Sequence, residues 1–191
     1  MQWDRQGTKS ANSANEPSSI GLARGVVQLH VSDPAWADAF RAEAEWLARH
    51  VAEAQLPPLL FEHIGSTAVP GLAAKPIIDL IAGHQPEIEP RTYFLAFQAA
   101  GYEARGPRGV PQREFFVRGP EHHRTHHLNL VPFDGAFWRD HLKFRDRLRN
   151  EPAVRAAYAK LKQQLAAAHP NDRGAYTDGK ASFVLLIVRG D

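Results

Sequence analysis

The sequence predicts an α+β fold: a small mixed β-sheet packed with helices, with further helices gathered at the C-terminus. Two observations predict it. Short apolar runs rich in β-branched residues, punctuated by Gly and Pro, occupy the first two thirds of the chain and read as strands. Beyond Gly135 the pattern turns helical, with breaks only at Asn150 and at His169-Pro170-Asn171.

Taken in order, residues 26–31 read as a short strand. Asp33-Pro34 supplies an N-cap followed by proline at the first helical position. Trp36, Phe40, Ala44, Leu47 and Val51 then recur at helical spacing, so residues 34–54 form an amphipathic helix that Pro57-Pro58 ends. Residues 59–64 and 77–82 are apolar strands joined by a turn-rich connection containing Pro70-Gly71. Residues 90–100 are a helix closed by Gly101. Residues 102–105, 113–117 and 125–131 are three more strands, and helices follow over 137–149, 152–168 and 172–188.

Length and composition bound the rest. A chain of 191 residues suits one domain, here residues 21–191. Residues 1–20, rich in Ser, Asn and Gln, are expected to form a disordered tail, because little there offsets the entropy of ordering. The absence of cysteine excludes disulfides, thiolate metal sites and cysteine nucleophiles, and fits the reducing cytoplasm expected as its location. No apolar run approaches the ~20 residues of a membrane helix, so no membrane partner is expected. The net charge of +2 is uneven: residues 1–104 carry 7 Lys/Arg against 12 Asp/Glu, and residues 105–149 carry 10 against 5. A basic middle section suits an anionic ligand, and equally a solvated basic face.

The segment that carries chemistry runs from Glu62 to Leu80, with His63-Ile64-Gly65-Ser66-Thr67 at one end and Lys75-Pro76-Ile77-Ile78-Asp79 at the other. A strand running into Gly-Ser brings bare amides close to whatever sits at the turn, and a helix opened by Ser66 or Thr67 would favour an anion there. The same pair also reads as an ordinary turn with a serine cap. Asp79 falls within an apolar strand, where a carboxylate needs a partner. That partner is a metal, or a cation such as Lys75, Arg113 or Arg118. Lys75 itself reads as structural or as phosphate-binding.

The run from His63 to Asp79 resembles the signature of the GrpB family, whose members also occur fused to dephospho-CoA kinases. Further blocks match in order: Asp33-Pro34-Ala35-Trp36, Gly101-Tyr102, Arg113-Glu114-Phe115-Phe116, His126-His127-Leu128-Asn129-Leu130 and Phe144-Arg145-Asp146-Arg147-Leu148-Arg149. Tyr158, Leu161-Lys162, and Tyr176 to Phe183 with Lys180 complete a resemblance covering residues 26–188.

The family is similar to nucleotidyltransferases of the polymerase-β type, in which a Gly-Ser turn holds a nucleoside triphosphate and carboxylates on neighbouring strands hold Mg²⁺ or another divalent metal. The resemblance therefore implies phosphate binding by Gly65, Ser66 and Thr67, with Lys75 offsetting charge. It implies metal ligation by Asp79, completed by His63, His127 and Asn129, and catalysis by Asp79 and His127. The sequence departs from that pattern: Ile81 stands where a second carboxylate would follow Asp79, and the later strand offers His127 and Asn129 in place of Asp. One carboxylate with neutral partners is a weak cage for Mg²⁺.

His122-His123 and His126-His127 suggest a transition-metal site, but strand alternation and the intervening Arg124 separate them. His63 reads equally as a hydrogen-bonded core histidine. Arg145 and Arg149 share a helical face. With Lys143, Lys162, Lys180 and Arg113 they would wall a phosphate site, or they pair with Asp146 and Glu151. The expected partner is a nucleotide or phosphorylated small molecule, and the leading reading is metal-dependent nucleotidyl transfer to an unknown acceptor. The alternative is a non-catalytic module binding a nucleotide or CoA-like metabolite. Nucleic acid ranks last, since aromatics interleaved with Lys/Arg and reader motifs are lacking.

Overall fold

Helix α1 (Ala35–Glu53) forms because the apolar stripe predicted from spacing meets a sheet. Trp36, Leu47 and Val51 bury their side chains, and Asp33 Oδ1 accepts the Ala35 N–H at 2.9 Å just before the first turn. The computed structural model describes residues 20–23 and 25–190; the expected tail lies, but for Ile20, outside the described residues. Ahead of α1, β1 (Leu22–Ala23) is a two-residue strand. The expected strand over 26–31 is not formed. Only His30 there finds a ladder partner, exchanging two backbone hydrogen bonds with Ala74 at 2.8 and 2.9 Å.

After α1 come β2 (Leu60–Ile64), β3 (Ile78–His84), α2 (Phe94–Ala99), β4 (Glu103–Ala104), β5 (Glu114–Arg118), β6 (His123–Arg124) and β7 (His126–Pro132). A 3₁₀ turn, Pro90–Tyr93, leads into α2, so the helix expected over 90–100 is half as long. Five strands make one mixed sheet in the order β2-β3-β7-β5-β4, with β3 and β7 parallel and the other pairs antiparallel. Strands β1 and β6 pair separately. The α+β class is as predicted.

Alternation sorts the sheet into two faces. On one, Leu80, Phe116, Leu128 and Leu130 pack with Trp36, Leu47, Tyr93 and Phe97 to form the main core under α1 and α2. On the other lie Ile64, Asp79, Ile81, His127, Asn129 and Val131, fixed by the registers Ile64↔Asp79, Asp79↔His127 and Ile81↔Asn129. Helix α3 (Ala136–Asn150) covers part of this second face through Trp138, which packs with Ile64, Ile81 and Val131.

Helices α4 (Pro152–Ala168), α5 (Arg173–Asp178) and α6 (Ala181–Arg189) complete the chain. One helix was expected over 172–188; two form, divided at Gly179-Lys180. A Cβ on Gly179 would lie 2.5 Å from a Leu165 methyl, so glycine lets α4 approach there. Helix α3 ends over one part of the second face, and the Asp79–His127 end remains open to α4, α5 and the turn after β2.

Candidate functional site: a cationic cleft at Asp79 and His127

The turn after β2 is shaped by Gly65. Its φ of +73° suits glycine, and a Cβ there would sit 2.6 Å from Asp79 Oδ2. The expected helix at Ser66 is a single 3₁₀ turn, Ser66–Ala68, closed by the Ala68 and Val69 N–H groups on Gly65 and Ser66 carbonyls. So short an element has no helix dipole to offer, and any anion binding here falls to side chains and the turn itself. Ser66 and Tyr158 of α4 line the same cavity. Thr67 Oγ1 donates to the Ile77 carbonyl at 3.2 Å, and so must accept from His63 Nε2 at 3.0 Å. Its hydroxyl proton is thereby committed within the protein.

Asp79, at the start of β3, finds its partner in the neighbouring strand. His127 Nδ1 lies 2.8 Å from Asp79 Oδ1. On the other side of the ring, Arg173 Nη2 from α5 lies 3.2 Å from His127 Nε2. A guanidinium can only donate, so Nε2 accepts and the ring proton sits on Nδ1, donated to Asp79. Burial pushes the Asp79 carboxyl up, but the hydrogen bond from His127 and the charge of Lys75 hold it below its ordinary range.

Cations crowd this carboxylate. Lys75 Nζ lies 4.9 Å and Lys180 Nζ 4.4 Å from the centre of the Tyr176 ring. Burial, with Arg173 and Lys180 nearby, lowers Lys75 to about 8. Burial also lowers Lys180, against the pull of Asp79. Lys162, only 1% exposed, donates to the Ala73 carbonyl behind the cavity, and burial brings it down to about 7. The cavity they enclose has a volume of about 240 Å³, with three cationic side chains, Lys75, Lys180 and Arg173, and one carboxylate, Asp79.

Seven sequence-predicted residues meet around this cavity: Gly65, Ser66, Thr67, Lys75, Asp79, His127 and Lys180. Four do not. His63 pairs across the ladder with Leu80, so it points to the α1 face, stacks on Phe40 at 4.8 Å and is brought by burial to about 4. The grouping of His63 with Asp79 and His127 is thus corrected by strand parity. Asn129 shares the face of Asp79, but its Nδ2 donates to the Leu80 carbonyl at 3.1 Å and its Oδ1 faces Arg113 Nη1 at 3.5 Å. Arg113 is held by the Pro107 carbonyl and by the rings of Phe115 and Phe137. Arg145 is 8% exposed and binds Glu62 at 2.6 Å, Asp146 at 2.7 Å and the His63 carbonyl at 3.1 Å, so it is a buried ion pair and no wall of the cavity.

Sequence reasoning missed Arg173, Tyr176 and Thr177. The signal was present: on the helix predicted over 172–188, Arg173 and Thr177 are four apart, as are Tyr176 and Lys180, which places each pair on a common face.

The donor set does not fit the divalent metal that the resemblance implied. No group of three or more His or acidic side chains surrounds a common point among the described residues. Asp79 stands as one carboxylate among three cations, His127 uses both ring nitrogens, Asn129 turns its Oδ1 to the Arg113 guanidinium at 3.5 Å, and His63 faces away. Mg²⁺ demands several hard oxygens.

An α+β protein with a small mixed sheet and a cation-lined cleft at one end of its open face is thus defined. The chain belongs to the GrpB family: the family model described as GrpB protein matches residues 26–189. It is 42% identical over 165 residues to the UPF0157 protein PA4798 of Pseudomonas aeruginosa, covering 85% of this chain and 66% of that protein, so it spans just under two thirds of that relative's length. The glutamate-rich protein GrpB of Alkalihalophilus pseudofirmus is 31% identical over 173 residues, covering 88% of this chain and 98% of its own. The crystal structure of the conserved protein GrpB from Enterococcus faecalis superposes with a TM-score of 0.74 at 38% identity, over 85% of this chain and 95% of that chain. The Cid1 poly(U) polymerase also aligns, at 14% identity and a TM-score of 0.45 over 71% of this chain and 45% of that chain.

Proposed function

We propose that the cleft binds the phosphate groups of a nucleotide or phosphorylated small molecule without a divalent metal. The observation that carries this reading is the excess of cations: Lys75, Lys180 and Arg173 surround the single carboxylate of Asp79 in a cavity of about 240 Å³. Like charges brought together in a partly dehydrated cavity repel, and a bound phosphate relieves that repulsion. Burial lowers Lys75 and Lys180, and an anion beside them favours their charged form.

A second reading, nucleotidyl transfer, is favoured by the Asp79–His127 pair. A neutral imidazole oriented by a carboxylate through Nδ1 leaves its Nε2 lone pair as a proton acceptor, here capped by Arg173. If an acceptor hydroxyl displaced that contact, Nε2 would take the hydroxyl proton as the oxygen attacked phosphorus, and pyrophosphate would leave. Lys75 and Lys180 would offset the charge that metals neutralise in two-metal enzymes.

The test is titration calorimetry with ATP and with inorganic pyrophosphate in EDTA. Binding is expected without metal and is expected to weaken about tenfold or more in Lys180→Ala, the loss of one charge-assisted contact. Binding that appears only on adding Mg²⁺ would overturn the metal-free reading. Pyrophosphate release on incubating ATP with candidate acceptors, lost in His127→Gln, would establish transfer.

A further inference from the structure

A second cavity, about 350 Å³, opens beside the first and shares His127, Arg173 and Thr177 with it. Its wall carries four guanidinium groups, those of Arg105, Arg108, Arg124 and Arg173. Arg105 and Arg124 converge on one carboxylate oxygen, Glu103 Oε2, at 2.8 and 3.0 Å, and Arg124 also donates to the Gly119 carbonyl at 2.7 Å. Glu121 lines the bay as well, so four cationic groups meet there with Glu121 in the wall and Glu103 at the edge. The floor is different in kind. Phe115 and Val117 project from β5 onto the open face of the sheet, and the Phe115 ring lies 5.3 Å from that of His127.

We infer that this arginine bay is a second ligand subsite, which takes a small organic anion, a carboxylate or phosphate ester, alongside the phosphate group held in the first cavity. Guanidinium forks match the planar or tetrahedral oxygens of such groups in bidentate fashion. Phe115 and Val117 offer its carbon body an apolar surface, which an inorganic ion would not use. His127 stands between the two cavities and Arg173 borders both, so the two ligands would meet at the Asp79–His127 pair. The inference rests on the reading of the first cavity as a phosphate site, and it gives that site a co-ligand. The bay is concave and bounded, which suits a small molecule; an extended polyanion would need a continuing basic track.

The test counts sites. Titration with inorganic pyrophosphate in EDTA is expected to fill two sites per chain. The double variant Arg105→Gln/Arg108→Asn is expected to remove one and leave the other. Asn suits position 108, where φ is +49°, and both changes fall on loop residues away from the core, with circular dichroism to check the fold. Lys75→Ala with Lys180→Ala is expected to remove the complementary site. Phenyl phosphate and benzoate then compete for the arginine-dependent site, and whichever displaces pyrophosphate names the ester or the carboxylate as its class. A single site lost in the lysine variant and untouched in the arginine variant would overturn the second subsite while leaving the first standing. A single arginine-dependent site would support the bay and overturn the first reading. Displacement by neither organic anion, or by a single-stranded oligonucleotide alone with steep salt dependence, would overturn the small-molecule assignment.

Discussion

Gly65 is constrained twice, by its backbone and by its neighbour. Its φ of +73° disfavours any side chain, and a Cβ would press to 2.6 Å against Asp79 Oδ2. Backbone strain alone costs roughly 1–2 kcal/mol. Asp79 can relieve the contact only by swinging away, which breaks its 2.8 Å hydrogen bond with His127. Gly65→Ala is therefore expected to lower stability by about 2 kcal/mol and, in the folded fraction, to weaken pyrophosphate binding. Urea denaturation reads the first effect and calorimetry the second. An unchanged midpoint with full affinity would show that the turn relaxes without moving Asp79.

At the scale of elements, α1 is fastened to the sheet by a polar clamp inside an apolar interface. Glu43, 6% exposed, accepts from Tyr102 at 2.9 Å and from Arg118 at 2.6 Å, with His126 Nε2 at 3.6 Å. Removing the carboxylate leaves the Tyr102 hydroxyl buried without a partner and takes the ion pair from Arg118, whose side chain is about a third exposed. Glu43→Ala is expected to cost about 3 kcal/mol in chemical denaturation, with pyrophosphate affinity of the folded protein unchanged because the clamp lies on the opposite face from the cleft. A loss below about 1 kcal/mol would mean that water replaces the clamp. The same parity explains what the sequence made legible. Apolar period and turn residues located β2, β3, β5, β7 and α1 to α4 to within a few residues, because local patterning determines them. Arg118 was a candidate partner for Asp79, yet it sits one position out of phase on β5 and serves Glu43 instead. His63 fails for the same reason, since which face a residue joins depends on a register set by strands distant in sequence. The residues around the cleft were legible from the block of motif residues; the pairing of Asp79 with His127, and Arg173 closing over it, required the parallel β3–β7 ladder and the placement of α5.

Over the whole molecule, the buried bases make stability depend on pH in a predictable direction. Lys162 and Lys75 are lowered to about 7 and about 8 in the folded chain, against an ordinary 10.5. Between those values and 10.5 the unfolded chain holds protons that the folded chain has released, so stability rises with pH through that window. Below about pH 7 the cost of keeping both lysines charged is fully present. His63, brought down to about 4 from 6.5, adds a second rise with the same sign between pH 4 and 6.5. Asp79, lowered by its hydrogen bond, contributes stability that is lost as pH falls towards its folded value. The melting temperature of the ligand-free protein is thus expected to climb from pH 6 to pH 9. An anion in the cleft stabilises the protonated lysines and raises their pKa values, so saturating pyrophosphate should flatten the upper rise. By the same linkage, binding at pH 8 should take up protons, seen as a calorimetric enthalpy that varies with the ionisation enthalpy of the buffer. Affinity should then weaken above pH 8. Melting temperatures measured from pH 6 to 10, with and without pyrophosphate, check the sign. A fall in stability across pH 7 to 9 without ligand would mean that the lysines already have an anionic partner, and that the cavity's charge is balanced before any phosphate arrives.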